Sequence, residues 1–298
     1  MDANQETEID YMGIEFPEGT IGETQRENFH RISKRTVYTT RYPDPDALRS
    51  LGLMQSVAWM LRNLGMTRFC SMSNNTCVRL TYEFLSSLRY VSDPNRTSGT
   101  IYFRMFNADY SLTHERIREI FLFPSGEGFA TIAPLESDWD SEAFAFWRKI
   151  TNTTTEKWEG LKATTIQNPA IRYLHRILSS TIFCRENTGN LNSKDLFFIH
   201  CALNQISVDP TPFLLTHLIS VANRVTGSIC VGGIITAIAN ALELEPALEL
   251  ADTLLCLFVD LDFCKNMRLV KTLPNGKYHV MIRTREILDF TLPNPSRI

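Results

Sequence analysis

The most regular pattern of apolar and polar positions runs from Asn168 to Leu203 and predicts two helices joined by a turn. Asn168 can cap a helix that begins at Pro169, because proline at the first helical position loses no needed N–H group. Turn residues surround Gly189, and Asn192 or Ser193 can begin the second helix. The residues expected on the inner faces of this helical hairpin are Ile171, Leu174, Leu178 and Ile182, then Leu196, Ile199 and Leu203.

Helical spacing of apolar residues recurs along the rest of the chain. It predicts a broken helix with an interruption near Gly52, a helix capped by Ser111 or Thr113, and a short aromatic helix around Trp147. The spans of the other predicted helices, with the broken one first, are 44–66, 79–88, 212–225, 229–242 and 246–258.

Two short segments alternate apolar and polar residues, as strands do. Ile101, Phe103 and Met105 alternate with polar neighbours after a turn-rich connection, which predicts a β-hairpin at about 88–106. A Pro-Asn-Gly turn predicts a second hairpin at about 268–282. The predicted fold class is therefore mainly α (α+β), a multi-helix globular protein with one or two small β-hairpins.

Shifts in composition along the chain predict four parts. Residues 1–25 are acidic with little apolar periodicity and predict a disordered tail. Residues 26–124 form an N-terminal helical part with a β-hairpin, and residues 125–161 a linker-like loop region. Residues 162–298 form a C-terminal helical domain that ends in a β-hairpin.

The overall composition is that of an ordinary globular protein. The chain has 298 residues, of which 44% are hydrophobic and 21% charged, and a net charge of -3, so no general basic field attracts nucleic acid. Its seven cysteines include no CxxC pair and predict buried free thiols in a reducing compartment. The acidic start and the absence of an apolar run long enough to span a bilayer predict an intracellular protein of cytoplasm or nucleus, neither secreted nor membrane-spanning.

Two local groups of basic residues are candidate contacts for nucleic acid or a protein partner. One group lies in the basic segment 26–41, and the other occupies the polar face of the helix that begins at Pro169 and the turn after it. Solvated helix surfaces with ion pairs explain both groups equally well. The candidate residues are Arg31, Lys34 and Arg35 in the first group, and Arg172, Arg176 and Arg185 in the second.

Metal and catalytic signatures are weak. His175, Cys184, His200 and Cys201 lack the short-range pairs of a zinc site. Two DxD pairs could hold a metal or support acid–base work, but no nucleotide-binding, hydrolase, metalloprotease or kinase motif accompanies them. No catalytic residue, cofactor or metal ligand is therefore assigned. The DxD pairs are Asp138 with Asp140 and Asp260 with Asp262.

Several long phrases carry a resemblance to a known family. In chain order they are RYPDPDALRSLGLMQSVAWMLRNLGMTRF, LTYEFLSSLRY, GTIYFRMFNADYSLTHERIREIFLFP, NPAIRYLHRILSSTIFCREN and LNSKDLFFIHCAL. Across roughly residues 42–250 the chain resembles the first open reading frame product of Athila-type plant retrotransposons. The resemblance implies a transposable-element protein with no agreed catalytic residues, and the chain has no zinc knuckle, DTG protease triplet or YxDD polymerase motif.

The leading hypothesis is a retrotransposon-derived protein without catalytic activity, in a capsid-like or accessory role that depends on self-association or partner binding. The first alternative is a module that binds RNA or DNA through the two basic groups. The second is an uncharacterised enzyme that uses an acidic pair. No membrane contact is expected, and the sequence identifies no small-molecule ligand.

Overall fold

The computed structural model describes residues 9–92, 99–124, 139–274, 278–282, 285–286 and 292–293. Helices dominate this part of the chain, and short strands connect them. The helices are α1 (Thr20–Ile32), α2 (Pro45–Ser50), α3 (Met54–Asn63), α4 (Thr67–Cys70), α5 (Val78–Ser87), α6 (His114–Phe121), α7 (Trp139–Thr151), α8 (Pro169–Ser180), α9 (Ser193–Asn204), α10 (Thr211–Asn223), α11 (Gly232–Ala241), α12 (Glu245–Glu249) and α13 (Leu261–Asn266).

The strands are short and form several small sheets. They are β1 (Arg41–Pro43), β2 (Thr76–Cys77), β3 (Arg89–Ser92), β4 (Gly99–Met105), β5 (Ala108–Thr113), β6 (Thr253–Leu254), β7 (Leu257–Val259), β8 (Val270–Thr272), β9 (Tyr278–Ile282) and β10 (Arg285–Glu286). The predicted fold class, mainly α with small β elements, is confirmed.

The helical hairpin at the centre of the sequence pattern is formed by α8 and α9. The Asn168 side chain accepts from the backbone N–H of Ala170 at 2.9 Å, as predicted for a cap before Pro169. Asn192 caps α9 by accepting from the N–H of Asp195, whose carboxylate accepts from the N–H of Asn192 in return. This reciprocal capping box satisfies two N–H groups that have no partner inside the helix.

The predicted hairpin at 88–106 is present and carries a third strand that the sequence pattern did not reveal. Strands β3, β4 and β5 form one antiparallel sheet in that order. Phe106 and Asn107 make the two-residue turn between β4 and β5 with φ of 51° and 65°. Such turns usually contain glycine. Here the Glu83 carboxylate holds the turn by accepting from the N–H groups of both residues, at 2.9 and 2.6 Å.

The second predicted hairpin is formed by β8 and β9, which pair antiparallel, and β10 extends the sheet. Its predicted turn, at residues 275–277, lies outside the described residues. The predicted helix 246–258 is wrong. In the structure the short helix α12 covers only the start of this segment, and two strands follow it. There, β6 pairs with β2, and β7 pairs in parallel with β1. Pairing with distant strands overrides the local helical spacing.

The predicted disordered tail, residues 1–25, includes residues that are folded in the structure. Helix α1 already begins at Thr20, and Gln25 is buried within it. Ile14 is buried as well and belongs to the hydrophobic core. The apolar positions of α1 are few, with Phe29 and Ile32 as its buried aromatic and aliphatic side chains, so its periodicity was hard to detect.

Helices from both sides of the predicted linker contribute to the same hydrophobic core. Helix α3 packs against α8 and α9, and α5 packs against α10 and α11. The division at 125–161 stays a prediction, because residues 125–138 lie outside the described part. Within the described ranges, no helix combines the length and apolar character needed to cross a membrane.

Candidate functional site

Three of the six basic candidates are buried in the protein, and two of them, Arg172 and Arg176, lie on helix α8. Arg172 donates to the carbonyl oxygens of Met281 at 2.7 Å and Arg268 at 2.9 Å. Arg176 donates to the Thr188 hydroxyl at 2.7 Å. Burial lowers the pKa of both guanidinium groups to about 10, so they stay charged at neutral pH. The prediction of a solvent-facing basic patch on this helix is therefore wrong.

Arg185, the third candidate of that group, pairs with the fully buried carboxylate of Asp195. Its Nη2 lies 2.6 Å from Oδ1 and 2.5 Å from Oδ2. Burial raises the pKa of Asp195, but the nearby His175 imidazole and the charge of Arg185 outweigh burial and lower that pKa below its usual value. The pair fixes the turn between α8 and α9, so Arg185 has a structural partner.

His175, Ser179 and Asp195 form a buried polar group that contains the residue types of a serine hydrolase triad. Ser179 Oγ lies 3.0 Å from His175 Nε2 and 3.4 Å from Asp195 Oδ1. In a triad the carboxylate binds the imidazole nitrogen that faces away from serine. Here the nearest carboxylate oxygen lies 3.8 Å from the same Nε2 atom. All three side chains are fully buried, so the group is a structural network that a substrate cannot reach.

In the N-terminal basic group, Arg31 and Arg35 bind the end of helix α10. Arg35 is buried and donates to the carbonyl oxygens of Val221 at 2.6 Å and Gly227 at 2.8 Å. Arg31 donates to the carbonyl of Ala222 at 3.0 Å. The last carbonyl groups of a helix lack partners within it, so cationic donors stabilise this end. Lys34, the third candidate, is exposed.

The acidic pair Asp260 and Asp262 does not build a catalytic site in the described structure. Asp260 caps α13 by accepting from the N–H of Phe263 at 2.7 Å. A cavity of about 300 Å³ is lined by both carboxylates and by Asp44 and Asp46, and its lining residues include no Lys, Arg or His. Among the described residues, no group of His, Cys, Asp and Glu side chains is arranged to hold a metal ion. Asp138 of the other pair lies outside the described residues.

All seven cysteines are free thiols, and all but the half-buried Cys256 are buried. Burial raises the pKa of Cys70 and of Cys201 to about 12. The thiolate is the reactive form of cysteine, so a raised pKa makes these thiols unreactive.

The most exposed apolar feature of the described chain follows α12. Four leucines lie within eight residues, and the sequence pattern had placed them in an apolar helix. We call them the leucine surface. They are Leu250, Leu254, Leu255 and Leu257, which are 91%, 41%, 75% and 46% exposed.

A groove of about 710 Å³ adjoins the leucine surface. Leu250 and Leu254 line this groove together with Met12, Val78 and Phe106. The charged residues Asp10, Arg79 and Asp252 also line it. Large exposed apolar areas are typical of interaction sites. The leucine surface with its groove is therefore the candidate functional site.

A model of the ATHILA ORF-1 family matches residues 20–295. The chain belongs to this family. Membership confirms the resemblance seen in the sequence and identifies a retrotransposon-derived protein. The ATHILA ORF-1 family is not a known enzyme family. No curated protein and no solved structure matches the chain.

Proposed function

We propose that this ATHILA ORF-1 protein is a structural protein without catalytic activity, and that it acts by self-association through the leucine surface. The observation that carries the proposal is the exposure of Leu250 and Leu255, which lose the most contact with water when covered. Burial of apolar area contributes about 25 cal/mol per Å² to association. The burial of His175, Ser179 and Asp195 also supports the proposal, because a substrate cannot reach these side chains.

A second copy of the chain can occupy this surface. The surface offers exposed leucines beside a groove whose lining includes Met12, Val78 and Phe106, so a leucine of one copy can enter the groove of another and receive one in return. Strands β6 and β7 each belong to a two-stranded sheet, so each has one unpaired edge among the described residues. Unpaired strand edges favour pairing with another chain.

Light scattering on the purified protein across concentrations tests the proposal. We expect the wild-type mass to exceed that of a monomer, and the double variant Leu250→Asp with Leu255→Asp to have the mass of a monomer. The matched control is Val225→Asp, because Val225 is 67% exposed outside the leucine surface. This control should keep the wild-type mass. A monomeric wild type at the highest soluble concentration contradicts the proposal, as does a double variant that still assembles.

A further inference from the structure

A cavity of about 330 Å³ lies between helix α1 and the sheet formed by β3, β4 and β5. This volume is at the lower end of the range of about 300 to 1,000 Å³ that is usual for small-molecule sites. The cavity shares no lining residue with the groove beside the leucine surface. One side of α1 forms its first wall, because residues four positions apart lie on the same side of a helix. The α1 residues of this wall are Thr20, Ile21, Thr24, Gln25 and Asn28.

One face of the sheet forms the opposite wall. Arg89 on β3 is in register with Tyr102 on β4. Arg104, two residues further along β4, is in register with Asp109 on β5. Paired residues of neighbouring strands, and residues two positions apart on one strand, point to the same face, so these four side chains share a face. All four residues line the cavity, and Arg104 Nη1 donates across it to Gln25 Oε1 at 3.4 Å.

The charges in the lining of the cavity are balanced. The guanidinium of Arg104 donates to the backbone carbonyls of Glu15 and Asn107. Its Nε also lies 3.4 Å from Asp109 Oδ1, so its charge is compensated. The lining has two basic and two acidic residues, which are Arg89, Arg104, Glu18 and Asp109. Such a lining favours an uncharged ligand, because a charged one would lose its hydration without finding an opposite charge in excess.

The side chain of Gln25 brings an unpaired hydrogen-bond donor to the cavity. Gln25 is 2% exposed, and its Nε2 group has no hydrogen-bond partner in the described structure. Other donors of the α1 wall are used within the protein. Thr24 Oγ1 donates to the carbonyl of Thr20 at 2.8 Å, and Asn28 Nδ2 donates to the carbonyl of Ser86 at 3.0 Å. A buried N–H group without an acceptor is unfavourable, so a ligand that supplies an oxygen atom to Gln25 gains affinity.

Exposed apolar side chains lie on both walls of the cavity. Ile21 on the α1 wall is 55% exposed, and Tyr102 on the sheet wall is 39% exposed. The Arg89 guanidinium carbon lies 5.8 Å from the centroid of the Tyr102 ring. A flat apolar molecule between the walls would remove both side chains from water. An aromatic molecule would in addition pack favourably against the ring of Tyr102.

We propose that this cavity binds an uncharged aromatic molecule whose carbonyl oxygen accepts a hydrogen bond from Gln25 Nε2. The cavity volume selects a small molecule, the balanced charges select an uncharged one, and the unpaired donor selects a carbonyl group. Nε2 is covered in the structure, so the amide group of Gln25 has to turn toward the cavity to reach the ligand. The bond between Gln25 Oε1 and Arg104 is longer than a usual hydrogen bond, so it opposes this rotation only weakly.

Indanone and indane are a matched pair of probes, because they share one flat aromatic skeleton and differ only in the carbonyl group. Saturation-transfer NMR titrations measure the Kd of each probe for the purified protein. The ratio of the indane Kd to the indanone Kd isolates the contribution of the carbonyl group. We expect this ratio to fall about 10-fold in Gln25→Leu, because leucine removes the donor and keeps a similar volume.

The position of the probes is tested by filling the cavity. Thr24→Phe should abolish saturable binding of both probes, because Thr24 is exposed on the α1 wall and the larger ring occupies the cavity. The matched control is Glu23→Phe, because Glu23 is also exposed on α1 and does not line the cavity. This control should bind both probes as the wild type does.

The proposal is wrong if indanone shows no saturable binding to the wild type, or if Thr24→Phe and Glu23→Phe bind it equally well. An unchanged ratio of the two Kd values in Gln25→Leu would also contradict it, because the carbonyl group would then have another partner. Circular dichroism checks that each variant is folded. If Gln25→Leu is unfolded, Gln25→Met decides by the same ratio, because methionine lacks the donor as well.

Discussion

At the scale of single residues, the buried carboxylate of Asp195 links helix α9 to the turn that follows α8. The sequence places Asp195 in the first turn of a helix, as a candidate ion-pair partner for the basic residues before it. In the structure its carboxylate pairs with Arg185 and also faces the buried Ser179 and His175. These contacts depend on how α8 lies against α9, which a linear pattern of polar positions does not encode.

The Asp195 carboxylate should make stability depend on pH in the acid range. Its pKa in the folded protein is lowered below the value of about 3.9 for an unfolded chain, so its contribution is present above about pH 4 and lost as pH falls. We expect Asp195→Asn to cost about 3 kcal/mol at pH 7, because Arg185 loses its partner. Urea unfolding measures the free energy of unfolding of the variant and the wild type at pH 7 and pH 3. The difference between the two proteins should be smaller at pH 3.

Asp252→Asn is the matched control, because Asp252 is exposed. It should leave the free energy of unfolding at pH 7 within about 0.5 kcal/mol of wild type. An Asp195 variant whose deficit is as large at pH 3 as at pH 7 would show that the carboxylate charge is not the source of the stabilisation.

At the scale of elements, the apolar stripes predicted the buried face of helix α8 but not the neighbours that cover its polar face. Ile171, Leu174 and Leu178 of α8 are fully buried, as their spacing predicted. The opposite face was expected in solvent, yet all twelve residues of α8 are buried. The partners of Arg172 on that face come from near the end of the chain, about a hundred residues later. Helical periodicity detects the apolar side of a helix and does not detect a second neighbour that binds the polar side through hydrogen bonds.

Leu178→Ala should cost roughly 2 to 5 kcal/mol of unfolding free energy, because it leaves a cavity in a fully buried site. Urea unfolding followed by circular dichroism measures the loss. The control is Leu122→Ala, because Leu122 is 62% exposed at the end of α6. A loss below about 0.5 kcal/mol for Leu178→Ala would contradict the packing of α8 between its neighbours.

At the scale of the whole molecule, strand pairing connects the early and late parts of the chain. Arg41 on β1 is in register with Leu257 on β7, and Thr76 on β2 with Leu254 on β6. The fold class followed from periodicity because most of the structure is locally determined helix. The strand pairings could not be predicted from periodicity, because these strands have only two or three residues each and show no alternation of apolar and polar residues.

The shared hydrophobic core predicts that the C-terminal part of the chain does not fold independently of the N-terminal part. A fragment of residues 139–298 produced alone should not unfold cooperatively, because it lacks α3, which covers α8 and α9, and α5, which covers α10 and α11. Thermal unfolding followed by circular dichroism should show one sharp transition for the whole chain and a broad, shallow change for the fragment. Mixing it with residues 9–124 should restore a sharp transition if the two parts complete each other's core. A sharp transition of the fragment alone would instead support an independent C-terminal domain, and the contacts of α3 and α5 would then be an interface between two stable units.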